Sequence, residues 1–411
     1  MSVIKPFKAI RPAKGWAAQV SSHAVERYSP PDIQNILDNN PCSFLQVIYA
    51  GRNRNINYPE QLKSIKSKFE DFIEQEIFEK ENESCLYIYR QVKDGRSHLG
   101  VIALASVDEY TKGKIKIHEQ TLAEREEKLK EYLTVCDFNA EPVCLTHPFS
   151  KELDALLKAE THKAPLYDFS SDNIHHGVWK ISSPEEINAF QQVFANMACL
   201  YIADGHHRAA SSALLAEQKR QDNPAHTGEE PYNYFMAAFF AETELSIFNF
   251  DRMVSSLNGH TPQSFLKETA RYFNITPDGE KVTKPASSSE ISLYLDKGWY
   301  MLRLKEKYLN PGDPVNRLDV SMLSNLILGP ILNITNLRDD KRITFVPGVK
   351  GIEEIQKAVD IGKTKAAFCL YPVSFAELIA VADAGKEMPP KSTWVEPKLE
   401  SGLLVYSLNS N

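Results

Sequence analysis

The segment Asp204-Gly205-His206-His207-Arg208 places an acid, a glycine, two imidazoles and a guanidinium at the junction of two patterns. Before it runs an apolar stretch, residues 198–203. After it comes the Ala/Leu-rich run AASSALLAEQKR. That order predicts a strand, a sharp turn at Gly205 and a helix. Glycine suits the turn because it has no Cβ to exclude positive φ. The first turn of a helix exposes backbone N–H groups and the positive end of the dipole, and both favour an anion such as a phosphate. His206, His207 and Arg208 add donors and charge. Asp204 is acidic where a phosphate is expected, so it reads as a ligand for Mg2+ or as an orienter of a histidine. The competing reading is a surface turn whose polar residues only cap the helix.

His118-Glu119-Gln120-Thr121 starts like a zinc-protease helix, but the second histidine of H-E-x-x-H would fall at Leu122. Glu119 can instead serve as a general base, or belong to a solvated face with Glu124, Glu126 and Glu127. Pro389-Pro390-Lys391-Ser392-Thr393 joins a rigid turn to a cation and two hydroxyls, a set able to hold a phosphate or carboxylate or to close a loop. Gly362-Lys363-Thr364 lacks the earlier P-loop glycine, since position 357 is Lys357. Ser211 and Ser212 lack the G-x-S-x-G setting of a hydrolase nucleophile. A metal shared by His175-His176 and His206-His207 is awkward, because adjacent side chains on a regular element diverge.

The elements around these segments follow from periodicity. Residues 44–49, FLQVIY, read as a short buried strand. Leu62, Ile65, Phe69, Phe72, Ile73 and Ile77 mark one face of a helix. CLYIYRQV and LGVIALASV flank Asp94-Gly95 as a hairpin. Residues 108–114 look like a break, and 118–133 a charged helix. Further strands are expected at 143–145, 178–181, ISLYLD, WYMLRLK, ITFV, AAFCLY and LLVYSL. Helices are expected at 151–159, after Ser183-Pro184, near 320–328, at 352–361 and at 375–384. Residues 281–289, KVTKPASSS, read as a linker. Alternating strands and helices argue for α/β or α+β domains rather than a barrel.

The chain has 411 residues, 43% hydrophobic and 25% charged, enough for two or three domains with their own cores. A net charge of −7 argues against a general nucleic-acid binder, which needs a basic face. Six cysteines without a C-x-x-C pair, mostly in apolar runs, fit buried thiols in a reducing compartment. The N-terminus lacks the apolar core of a signal peptide, and no window of about 18 apolar residues exists to span a membrane. A cytoplasmic protein is expected.

Taken together, HEQT, IADGHHRAAS and MPPKSTWVEPKLESGL resemble a widespread bacterial family, domain of unknown function 1015. Pro6-Phe7-Lys8-Ala9-Ile10-Arg11-Pro12 and Phe250-Asp251-Arg252 also fit it. The likeness covers nearly the whole chain. Many members carry Pro-Tyr-Asp soon after the opening motif, where this chain has Ser21-Ser22-His23-Ala24-Val25. More distantly, the same anchors are similar to the archaeal free-serine kinase of the ParB/sulfiredoxin-like fold. The resemblance implies a ParB/sulfiredoxin-like core at 111–255, an N-terminal α/β region at 1–110, and a C-terminal α/β domain at 256–411 that contributes the PPKST segment. It implies phosphoryl transfer from ATP or ADP, with Mg2+, to the hydroxyl of a small amino acid, L-serine first. Glu119 falls on the catalytic base, and Asp204 and His206 complete the catalytic set. Gly205, His206, His207 and Arg208 fall on the nucleotide-phosphate turn, with Asp204 the candidate metal ligand. His118, Thr121, Lys391, Ser392 and Thr393 are left for substrate or phosphate, Ser392 replacing a threonine. A homo-oligomer is compatible with all of this. The alternative is a ParB-like nucleotide-hydrolysing or nucleic-acid-associated protein. Sulfiredoxin chemistry would need a cysteine in the turn, and none is there.

Overall fold

The computed structural model describes residues 3–52, 56–279 and 284–409; of the expected linker, residues 281–283 lie outside the described part. The protein is a mixed α/β chain with several sheets and thirteen α-helices among the described residues. Contacts divide it into two compact units. The first comprises residues 1–116, 121–245 and 397–411, and the second residues 117–120 and 246–396. A cut at residue 110 would pass through one sheet of the first unit, because strand Tyr234–Ala241 pairs with both Arg96–Ser106 and Val143–His147.

That sheet runs, by neighbours, Ile115–Lys116, Leu200–Asp204, Val143–His147, Tyr234–Ala241, Arg96–Ser106, Leu86–Lys93, Ile174–Ile181 and Tyr167–Ser171, with Ile4–Lys5 paired to Arg96–Ser106. Its middle strands are buried along most of their length, and helices cover one face. Phe190, Val193 and Phe194 of helix Pro184–Ala195 and Leu153 and Leu157 of helix Lys151–Thr161 pack into the core of Ile88, Val101, Leu145, Ile202 and Phe239. The hairpin turns where expected, with Asp94 at φ 51° and Gly95 at φ 76°. A second core lies under helix Tyr58–Glu74. Asn57 accepts from Glu60 N at 3.0 Å to cap that helix, which buries Leu62, Ile65, Phe69 and Phe72 at spacings of three and four.

Residues 44–49 are a helix, not the expected strand. Ser43 caps it through Leu45 N, and Phe44 and Val47 enter the second core beside Phe69, Phe78 and Phe138. A six-residue apolar run cannot be assigned by periodicity, so its partners decide. The expected break at 108–114 contains a short helix, Val107–Thr111. The charged helix begins only at Ala123, so His118, Glu119, Gln120 and Thr121 lie on irregular chain before it.

In the second unit the strand order is Phe273–Gly279, Gly298–Leu304, Glu290–Leu295, Ala366–Leu370, Phe250–Val254 and Ile343–Pro347, all antiparallel. A two-stranded ribbon pairs Ser246–Phe248 with Trp394–Glu396. The helix expected near 320–328 is an α turn, Asp319–Leu323, continued as a π turn over Ser324–Leu328.

Candidate functional site

Strand Leu200–Asp204 pairs with Val143–His147, and its register slips between Ile202 and Asp204. Such a bulge re-aims the last side chain of a strand. Gly205 follows at φ +98°, and helix His206–Asp222 starts at once. A Cβ on Gly205 would lie 3.2 Å from the guanidinium carbon of Arg208. The backbone angle calls for glycine, and a side chain there would also push back the arginine folded over it.

Asp204 is flanked by two cations. Arg208 Nη2 lies 3.3 Å from Oδ2, and Lys398 Nζ 3.2 Å from Oδ1. Arg208 also donates to the carbonyl of Pro142 and lies 3.9 Å from Glu141. Lys398 was not among the expected site residues. Its segment is held at several points. Gln91 donates to the Lys398 carbonyl at 3.1 Å, Ser22 and Ser401 exchange backbone hydrogen bonds, and Glu400 meets His23 at 2.6 Å. The signal was present in the Pro397-Lys398 that repeats the earlier Pro390-Lys391. Lys398 and Arg208 are both mostly buried, where charge interactions are screened less than at the surface.

His206 is buried at the helix start. His207 Nε2 accepts the Leu122 backbone N–H at 3.2 Å, so this imidazole carries its proton on Nδ1 when neutral and anchors the chain just after Thr121. Thr121 itself donates to Glu126. Behind Asp204, burial pushes the Cys144 thiol up to about 12, with the carboxylate adding to the effect, so it stays a thiol at neutral pH.

The second unit holds the remaining expected residues. His118 is buried, and its carbonyl accepts from Met388 N at 2.8 Å, which sets the chain beside the start of the PPKST segment. Glu119 is half-buried on irregular chain, away from the helical face that carries Glu124, Glu126 and Glu127. In PPKST, Lys391 is exposed with φ +57°, Ser392 is buried and donates to Pro389 O at 2.6 Å, and Thr393 is half-buried. Arg252 lies fully buried beneath this turn and donates to the Lys391 carbonyl at 3.0 Å.

His175 and His176 do not meet as metal ligands. His175 bonds Asp168 at 2.6 Å, and His176 bonds the Tyr89 hydroxyl at 2.8 Å. Burial lowers the His176 pKa to about 4, so it is neutral. Among the described residues no group of three His, Cys, Asp or Glu side chains is placed to hold a metal ion. None of the six cysteines is in a disulfide.

Fold and site together define a mixed α/β protein with a glycine turn and two cations on one carboxylate. The chain belongs to the family described as Protein of unknown function (DUF1015), whose model matches residues 4–321. No curated protein matches it. Among solved structures it is similar to a free serine kinase in complex with AMP, at 11% identity over 75% of this chain and 92% of that one, with a TM-score of 0.38. It is also similar to a C-terminally truncated SbnI from Staphylococcus aureus, at 14% identity over 75% and 87%, with a TM-score of 0.41. A conserved hypothetical protein from Pyrococcus furiosus matches at 10% identity over 75% and 95%, with a TM-score of 0.38. No helix among the described residues is long and apolar enough to cross a membrane.

Proposed function

We propose that the protein binds a nucleotide by its phosphates at Gly205, His206 and Arg208 and transfers a phosphoryl group to the hydroxyl of a small amino acid, L-serine first. The observation that carries this reading is the turn itself. A glycine at φ +98° opens a seventeen-residue helix, and the carboxylate just before it, Asp204, holds Arg208 and Lys398 at that helix start. Helix N–H groups, dipole and two cations are the elements that recognise a phosphate. The three-segment resemblance supplies the reaction class.

In the proposed reaction Glu119 takes the proton from the serine hydroxyl while its oxygen bonds to the terminal phosphorus of ATP or ADP. The bond from that phosphorus to the bridging oxygen breaks, and ADP or AMP leaves with the electron pair. Such a transition state needs positioning and charge stabilisation more than covalent help. We assign the charge stabilisation to Arg208 and Lys398, and assign His118, Thr121, Lys391, Ser392 and Thr393 to substrate or phosphate.

Magnesium commonly accompanies nucleotide phosphates and would neutralise charge on them. Asp204 does not fit as its ligand, since both carboxylate oxygens already face a cation. We read Asp204 as the residue that holds Arg208 and Lys398 in place. The test is phosphoserine formation from L-serine with ATP or ADP in the presence of Mg2+. Absence of product with either donor across serine, threonine and homoserine would reject the reading.

A further inference from the structure

Arg252 is among the largest fully buried side chains of the protein. Taking a guanidinium out of water is costly, and an apolar side chain of similar volume is often as stable or more so. Its place therefore asks what its hydrogen bonds achieve. Arg252 stands on strand Phe250–Val254, opposite Phe345 on one side and Phe368 on the other. The guanidinium stacks 5.2 Å from the Phe345 ring centroid. One terminal nitrogen donates to Phe250 O. The other faces the carbonyls of Lys391 at 3.0 Å and Pro390 at 3.5 Å. Those carbonyls are some 138 residues away in the chain.

The clasped residue is the strained one. Lys391 adopts φ +57°, in the left-handed region that side-chain-bearing residues disfavour. Such a conformation persists only where its surroundings over-determine it. Three contacts do so here: the Arg252 clasp, the Ser392 bond to Pro389 O, and the Lys391 ammonium 5.5 Å from the Phe250 ring centroid. Phe250 also packs edge-on against Trp394, which begins the strand paired with Ser246–Phe248. The triplet Phe250-Asp251-Arg252 thus fixes the turn from below, while Asp251 is occupied by Leu370 N at 3.2 Å and by Asn249.

We propose that Arg252 is a positioning residue: its buried guanidinium clasps the Pro390 and Lys391 carbonyls and so fixes the left-handed turn that presents Lys391, Ser392 and Thr393 to a phosphorylated or carboxylated ligand. The presentation to ligand rests on the function proposed above; the clasp does not.

The experiment uses the full chain with Arg252→Lys, which keeps charge but loses the fork, and Arg252→Met, which keeps volume without donors. Peptide-level hydrogen exchange over residues 389–397 reads the clasp without any activity. Both variants should speed exchange there by about tenfold, as expected for one lost charge-assisted bond, while residues 250–254 keep their protection. Unchanged exchange at 389–397 overturns the clasp. For the link to function, Arg252→Met should keep or raise the melting temperature yet lower kcat/KM about tenfold. Adding Lys391→Gln to Arg252→Met should cost no more than the worse single change, because both act through one turn. Multiplying losses, or an activity loss that tracks the melting temperature, overturns the positioning role. If the unmodified protein makes no phosphoserine, the proposed function fails and the exchange result alone decides the clasp.

Discussion

Asp204, Arg208 and Lys398 form one electrostatic unit, and each member predicts something different. Removing the lysine leaves the carboxylate held by the arginine alone. Lys398→Met should weaken ADP or ATP binding roughly ten- to a hundredfold, the usual loss for one charge-assisted contact. Adenosine affinity should not change, and Lys398→Arg should recover most of the loss. Calorimetric titration with ADP and adenosine separates these outcomes; an ADP affinity untouched in Lys398→Met would mean that the lysine only neutralises Asp204. Glu119, which we propose as the base, is tested differently, because that role lies in accepting a proton. Glu119→Gln keeps the size but not that capacity, so kcat should fall by about 10²–10⁴ with nucleotide affinity near that of the parent. Glu124→Gln is the control: its side chain is 82% exposed and pairs with Lys128. A Glu119→Gln enzyme that keeps more than about a third of the parent rate would end its assignment as base.

At the scale of elements, the segment 397–408 does more than close the first unit. It adds strand Val405–Ser407 to the sheet with Ala9–Pro12 and Phe138–Asn139, and it carries Lys398 to Asp204. Gly402 is its tight point. At φ +76°, an added Cβ would lie 2.7 Å from Phe44 Cβ and still closer to the ring. Gly402→Ala should therefore cost about 1–3 kcal/mol for overpacking and about 1–2 kcal/mol for the left-handed backbone. Gly15→Ala, with φ +91° and open space, should cost only the backbone part. Melting temperatures of the two variants test this, and equal shifts would mean that Phe44 moves aside freely. The same contact explains part of what the sequence could reveal. The hairpin at Asp94-Gly95 and the strand–Gly205–helix turn were legible, because local backbone chemistry alone specifies them. Residues 44–49 were not, because a short apolar run takes its form from distant partners such as Phe69 and Gly402. Glu119 was placed on a helix because its charged surroundings mimic one, yet the helix starts four residues later at Ala123. Lys398 and Arg252 escaped for a related reason. Both stand in segments that the sequence marks out, but their roles depend on contacts nearly 200 and 140 residues away, and the chain spacing does not say which residues they meet.

At the scale of the whole molecule, the acidic balance hides carboxyls with opposite preferences. In the second unit Asp313 is partly exposed and held low, to about 2, by Lys386 and by the N–H groups of Val315 and Asn316. Its contribution is lost as pH falls through that range, and solvent screens it. Asp319 is the reverse case. Burial pushes its carboxyl up to about 7, opposed by the Ser289 N–H that it accepts at 2.7 Å and reinforced by Glu377 and Glu290. The Tyr371 N–H opposes the shift as well. A carboxyl raised in the folded state favours folding when protonated. The stabilisation is complete below about 4, the ordinary value, and disappears as pH rises through about 7. A shift of this size corresponds to something on the order of 4 kcal/mol, and at most about 1.4 kcal/mol per pH unit. Asp251, pushed to about 6 by burial and opposed by Leu370 N–H and Arg252, slopes the same way. The buried pair should outweigh the screened surface group, so the second unit should grow more stable as pH falls from 8 to 5. Urea unfolding of the full chain, followed through Trp299 and Trp394 of that unit, measures it. Asp319→Asn keeps an acceptor for Ser289 but cannot ionise, so it should remove most of the slope above pH 6, where Asp251 contributes little. A parent midpoint that does not move between pH 5 and 8, or an Asn variant with the parent slope, would show that Asp319 ionises in the fold as it does in water.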